Sequence, residues 1–237
     1  MEDVHSFALG KSFYYQCFPN EFLDIAYASC SFHWLSRPSE GRNQLYPLLL
    51  KFDDYESNLP QRMREDLRTL LANRYAELRP GGHLMFSVPL FNLSRRDSLA
   101  PMVEVAYQMQ EKHLLPDSFV ESFRCPFGFN TYQRILDIIN EFTPAFEVIS
   151  SEEVDRESLI YKRFRMTGEM SRFSSEMKGF YKGIFRPHLL SLFKDDPEGE
   201  AKVEQFYDLV EEYVLSHPEP LHHFFGYFHL RKPIVKA

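Results

Sequence analysis

Apolar and polar positions alternate along the chain with two distinct periods. Residues 22–32 (FLDIAYASCSF) form an apolar run rich in β-favouring and small residues, which predicts a buried strand continuing into His33, Trp34 and Leu35. From Asn58, an N-cap candidate with Pro60 and Gln61 behind it, Met63, Leu67, Leu70, Leu71, Tyr75 and Leu78 recur at helical spacing up to Pro80-Gly81-Gly82. A second apolar run at 83–90 (HLMFSVPL) predicts a strand, and helix, turn and strand in that order predict a parallel crossover.

Further on, Leu99, Met102, Val103, Ala106 and Met109 share one helix face, and Tyr132, Ile135, Leu136, Ile139 and Phe142 share another that feeds a short strand at 146–150. The stretch 119–130 (FVESFRCPFGFN) reads as a structured loop. From Glu152 the pattern turns helical, with Pro187 expected to kink the long helix or divide it in two. Asp196 and Pro197 open another helix, and residues 223–230 (HFFGYFHL) read as a returning strand bulged at Gly226. The expected organisation is a partial core over 1–95, a helical cap interleaved with one core strand and helix over 96–220, and the returning strand over 221–237.

Composition narrows the function. With 237 residues, 15 prolines and 44% apolar residues, the chain suits one sizeable globular core. Its 34 acidic against 27 basic residues give a net charge of −7, which argues against nucleic acid as a partner. Cys17, Cys30 and Cys125 are widely spaced and odd in number, which suits a reducing, cytoplasmic location better than a disulfide scaffold. No window approaches the ~20 apolar residues of a membrane span. The 23 Phe and 13 Tyr serve a Phe-rich core, and some of them suit a pocket for a flat apolar molecule.

In open α/β sheets ligands bind at the carboxyl ends of the strands, so Ser29 to Trp34 is the first place to look for chemistry. Here the segment KSFYYQCFPNEFLDIAYASCSFHWLS (11–36) resembles the SABATH family of plant-type carboxyl methyltransferases, in which Ser-Phe-Tyr is followed by Phe-Pro, a strand and Ser-Tyr-Ser-Leu-(His or Met)-Trp-Leu-Ser. LRPGGHLMF, SFRCPFGFN and FRPHLLSLF extend the likeness more loosely. The resemblance implies an incomplete Rossmann-like methyltransferase sheet (α/β) with an inserted α-helical cap, S-adenosylmethionine as cofactor and a small, apolar or aromatic carboxylic acid as acceptor.

By the same resemblance, Ser12 and Phe13 would border the adenine, while Cys30, His33 and Trp34 would face the acceptor. Cys30 replaces the family's usual Tyr, and Lys11 the usual Gly. A carboxylate with a pKa near ~4 is already ionised, so it needs no base to attack a sulfonium methyl. The indole N–H of Trp34, a donor only, suits holding one carboxylate oxygen while the other attacks. Trp34 read without the family is a core residue at a strand end, and His33 is either a second donor or a packed ring.

Other chemistries score poorly. Some family members hold magnesium near an Asp-x-Phe-Asn loop, for which this chain has Glu121-Ser122-Phe123-Arg124, and Arg does not ligate a cation, so no metal is expected. His222 and His223 lack ligand-spaced neighbours. No Gly-x-Ser-x-Gly occurs, and only His33 stands near Cys30 in sequence.

The sequence before Phe22 offers neither a glycine-rich cofactor turn nor an acidic strand end. The expectation is therefore a truncated or fragmentary methyltransferase that binds its cofactor poorly alone. The alternative is a non-catalytic binding or interaction module derived from one. The strand at 22–32 would then keep an open edge, to be covered by amino-terminal residues, by a second copy in a homodimer, or by a separate subunit.

Overall fold

The computed structural model describes residues 8–37, 61–90, 100–115, 119, 128–219 and 222–234. Four strands, β1 (Leu23–Ser29), β2 (Leu78–Pro89), β3 (Glu147–Glu157) and β4 (His222–Arg231), form one sheet in the order β1-β2-β4-β3. β1 and β2 are parallel, joined through helix α1 (Gln61–Glu77), as the helix-turn-strand pattern predicts. β4 runs antiparallel between β2 and β3. The other helices are α2 (Ala100–Glu111), α3 (Tyr132–Glu141), α4 (Leu159–Thr167), α5 (Met170–Leu192) and α6 (Gly199–Ser216).

Two apolar clusters hold these elements. Leu67 and Leu71 of α1 and Ile135, Ile138 and Ile139 of α3 cover one face of the sheet, over Leu84, Phe86, Phe228 and Leu230. The second cluster joins α2, α5 and α6 through Met102, Met109, Phe185 and Phe206. Outside it, Lys178 to Asp208 (2.6 Å), Lys182 to Glu204 (2.5 Å) and Arg186 to Glu204 (3.2 Å) repeat at four-residue intervals along α5 and tie it to α6.

Several local expectations change. The strand expected at 146–150 continues to Glu157, so 152–157 is not helical: Glu157 pairs with His222 and the whole of β4 has a partner. β3 lies at the sheet margin, where its charged side chains stay in water, and this hides the strand pattern from a hydropathy reading. The bulge lies in β3, between Val148 and Ser150, and not at Gly226, whose pairings are regular. Gly226 answers to packing, since a Cβ there would stand 2.7 Å from the Phe228 ring. The Pro-Gly-Gly segment belongs to β2, where a register shift opposite Leu23 and Ile25 takes it up, with Gly81 at φ +82°. α5 passes through Pro187 with no junction between two helices. The Asn58 cap, Glu121 to Arg124 and Cys125 lie outside the described residues.

The two sheet edges differ sharply. β3 presents Glu147, Glu152, Glu153, Asp155 and Arg156 at its edge. β1 pairs on one side only among the described residues, and leaves Ile25 56% and Tyr27 73% exposed, with Phe22 beside them.

Candidate acceptor and cofactor site

The carboxyl ends of β1 and β2 border a shallow cleft open to solvent. Phe32, His33, Asp66, Phe86, Val88 and Asn130 are among its walls. β1 stops at Ser29, and Cys30 turns the chain with φ +48°, a region that L residues with side chains seldom occupy. The Cys30 N–H donates to the Ser87 carbonyl at 2.9 Å, and its Sγ lies 3.8 Å from the Ser87 hydroxyl. The turn delivers Phe32 onto Phe86, with ring centroids 5.1 Å apart, so an apolar floor continues from the core into the cleft.

His33 stacks on Phe129 at 6.0 Å with the planes 10° apart, and its carbonyl accepts from the Gly128 N–H at 2.9 Å. Residues 128–130 are thereby laid across the strand ends, and Asn130 bridges to Leu90. Burial holds the His33 imidazole down to about 4, so the ring is neutral at physiological pH. Trp34 lies 5.3 Å from the His33 ring and packs against the cluster of α2, α5 and α6, so it stands between the cleft and the helical layer.

Loop 11–18 reaches the same strand end through Phe13 and runs on to the start of β1. Phe13 is half-buried and faces Phe32 at 6.3 Å, beside the exposed Ser12. α1 anchors this loop through its last turn: the Asn73 amide donates to the Tyr14 carbonyl at 2.8 Å, and Arg74 donates to the Tyr15 carbonyl at 3.1 Å. Glu77 accepts from the amides of Cys17 and Phe18. At the other end of α1, buried Asp66 accepts from the Ser36 amide and hydroxyl, each at 2.9 Å.

Of the five residues singled out from sequence, His33 lines the cleft; Cys30 and Trp34 flank His33 in the chain without lining it, and Ser12 and Phe13 lie on the loop before β1, where Phe13 meets Phe32. Tyr14, Asp66 and Glu77 had been given no part. Asp66 and Glu77 carried a legible signal, being carboxylates at buried positions of α1. Tyr14 carried none beyond its place in the Ser-Phe-Tyr run. Among the described residues no group of three or more His, Cys, Asp and Glu is placed to hold a metal ion, and His222 is instead bonded to Asp155 at 2.6 Å.

The residues fit one side of a nucleoside site. Phe13 offers a partly open ring and Ser12 an exposed hydroxyl. No helix among the described residues is long and apolar enough to cross a membrane.

A sequence profile of the SAM dependent carboxyl methyltransferases matches residues 2–216. The methyltransferase LUC1 of a Fusarium species is 25% identical over 140 residues, which are 57% of this chain and 37% of that one. Among solved structures, loganic acid methyltransferase with SAH superposes with a TM-score of 0.66 at 15% identity, covering 94% of this chain and 65% of that one. The [4+2]-cyclase SpnF superposes with a TM-score of 0.42 at 14% identity, covering 94% and 54%. The chain thus spans less than two thirds of the length of these relatives.

Proposed function

Given that the chain belongs to the SAM-dependent carboxyl methyltransferase family, we propose that it forms the acceptor-binding part of an enzyme that methylates the carboxylate of a small apolar or aromatic acid. The observation that carries this reading is the cleft at the end of β1. Its floor is apolar (Phe32, Phe86, Val88), and His33 is held there without charge beside the donor-bearing Trp34. An apolar acid would be held by the rings and its carboxylate by N–H donors.

When bound, S-adenosylmethionine supplies a methyl group on a positively charged sulfur. An acceptor carboxylate oxygen would take that methyl, the new O–CH₃ bond forming as the S–CH₃ bond breaks and the sulfur keeping the bonding pair. The products are a methyl ester and S-adenosylhomocysteine, and no proton moves. The chain's task is to orient the acceptor and exclude water. Trp34 fixes one carboxylate oxygen, the Phe32 and Phe86 rings set the plane of the acid, and Ser12 with Phe13 form the near wall for the adenosyl group. Cys30 occupies less space than a tyrosine would, which suits a bulkier acid.

The other wall of the cofactor site comes from a segment that joins the sheet at the β1 edge. The exposed Ile25 and Tyr27 support this. Titration calorimetry of the chain with S-adenosylmethionine is expected to give a dissociation constant weaker than about 100 μM. Low-micromolar binding by a monomer would overturn the requirement for that segment. Incubation with a panel of small acids, followed by mass spectrometry for methyl esters, tests the reaction itself. Trp34→Phe, which keeps ring packing and loses the donor, is expected to lower turnover by ~1.5 to 3 kcal/mol of transition-state stabilisation and to leave cofactor affinity unchanged. Tight acid binding with no ester under any condition would favour a non-catalytic binding module.

A further inference from the structure

One side chain joins the two segments that flank β1. The Tyr14 hydroxyl donates to the Trp34 carbonyl, and the Tyr14 carbonyl accepts from Asn73 of α1. The Tyr14 ring lies 4.9 Å from that of Phe13, and Phe13 in turn faces Phe32. Beyond Trp34, Ser36 is held by Asp66, on the same helix that carries Asn73. The loop at 12–15 and the segment at 34–36 are therefore fixed to one rigid helix at two points, with Tyr14 as the direct strut between them. The Tyr14 phenol is raised above its usual range, first by burial and then by the nearby Asp66 carboxylate, so it remains a donor at physiological pH.

On the reading given above, we propose that Tyr14 is a positioning residue that couples the cofactor side of the site to the acceptor side. A nucleoside seated against Ser12 and Phe13 restrains the loop, Tyr14 passes that restraint to the Trp34 backbone, and the indole is held where a carboxylate can meet it. Linkage requires the reverse as well: acceptor binding at Trp34 tightens nucleoside binding by the same factor.

Trp34 is the only tryptophan in the chain, so its fluorescence reports the acceptor side directly. Benzoate, salicylate and hexanoate are titrated into the protein with and without millimolar S-adenosylhomocysteine. The wild type is expected to bind its best acid about fivefold or more tightly when the nucleoside is present, the lower end of ordinary coupling. In Tyr14→Phe, which keeps the ring and loses the hydroxyl, that ratio falls to about one, while Tyr15→Phe on the exposed neighbour leaves it unchanged. A merely structural Tyr14 would lower both affinities or the melting temperature and preserve the ratio. Should the Phe variant fail to fold, Asn73→Ala releases the other end of the strut and is expected to reduce the ratio. An undiminished ratio in Tyr14→Phe, or a wild-type ratio of one, overturns the coupling and leaves the proposed function standing. Absence of acid binding to the wild type, with and without the nucleoside, overturns both.

Discussion

Arg74 and Glu77 form a buried pair one turn apart at the end of α1, with the guanidinium Nη2 2.8 Å from Oε1 of the carboxylate. The same oxygen accepts from the amides of Cys17 and Phe18, and Arg74 also reaches the Phe13 and Tyr15 carbonyls. A loop with little regular structure is thus held by charge-assisted bonds from a helix that belongs to the sheet layer. Glu77→Ala should cost ~3 to 5 kcal/mol, because it leaves Arg74 charged and buried. Arg74→Met combined with Glu77→Leu should cost less than Glu77→Ala alone. Urea denaturation of the wild type and the two variants checks this, and a double variant that costs as much as Glu77→Ala or more would contradict it.

Acid should loosen the site. His33 titrates at about 4 when folded, against an ordinary 6.5. The unfolded chain therefore takes up a proton in the window between these values that the folded chain does not, and stability rises with pH across it. The contribution is full above about pH 6.5 and is lost as pH falls through 4, amounting to at most about 3 kcal/mol. Denaturation midpoints of the wild type and His33→Gln at pH 4.5 and 7.5 should converge at the lower pH. Parallel curves would remove His33 from the account.

Turnover in an assembled enzyme should respond little to pH. With the acceptor's own carboxylate as nucleophile and His33 neutral, the rate is expected to be flat between about pH 6 and 9. A bell centred near neutrality would require an acid-base pair on the protein.

The β1 edge should govern self-association. Ile25 and Tyr27 project from a strand that pairs on one side only among the described residues, while the opposite edge is guarded by charge. Tyr27→Lys and Ile25→Lys are expected to raise solubility and shift light-scattering masses toward the monomer. Substitutions at Glu152 or Glu153 on β3 should leave the mass unaltered.

Gly226 should resist replacement. Alanine there places its Cβ against the Phe228 ring and 3.2 Å from a Leu90 side-chain carbon, and is expected to cost ~1 to 3 kcal/mol by denaturation. A neutral result would show that β4 shifts to make room.

Elements whose burial is periodic were legible in the amino-acid pattern. β2, α1 and α3 each present a repeating apolar face to a single layer, and hydropathy records that repetition directly; β1 was legible as a strand but not in its burial, for the run expected to be buried over 22–32 is a strand only over Leu23–Ser29, none of whose residues is buried. The pattern also held the run from Ser12 to Trp34, because residues on one strand and its flanking loops stay neighbours in space. Tertiary structure alone decided the extent of β3, whose polar edge becomes a strand only because β4 supplies hydrogen-bond partners along its length. It decided likewise the position of the bulge, the role of Gly226 and the continuity of α5 through Pro187. The supports of the site, Tyr14 to Trp34, Asp66 to Ser36 and Glu77 to Cys17, span 20 to 60 residues of sequence. Their bonds depend on where α1 docks on the sheet, and no local pattern of side chains specifies that placement.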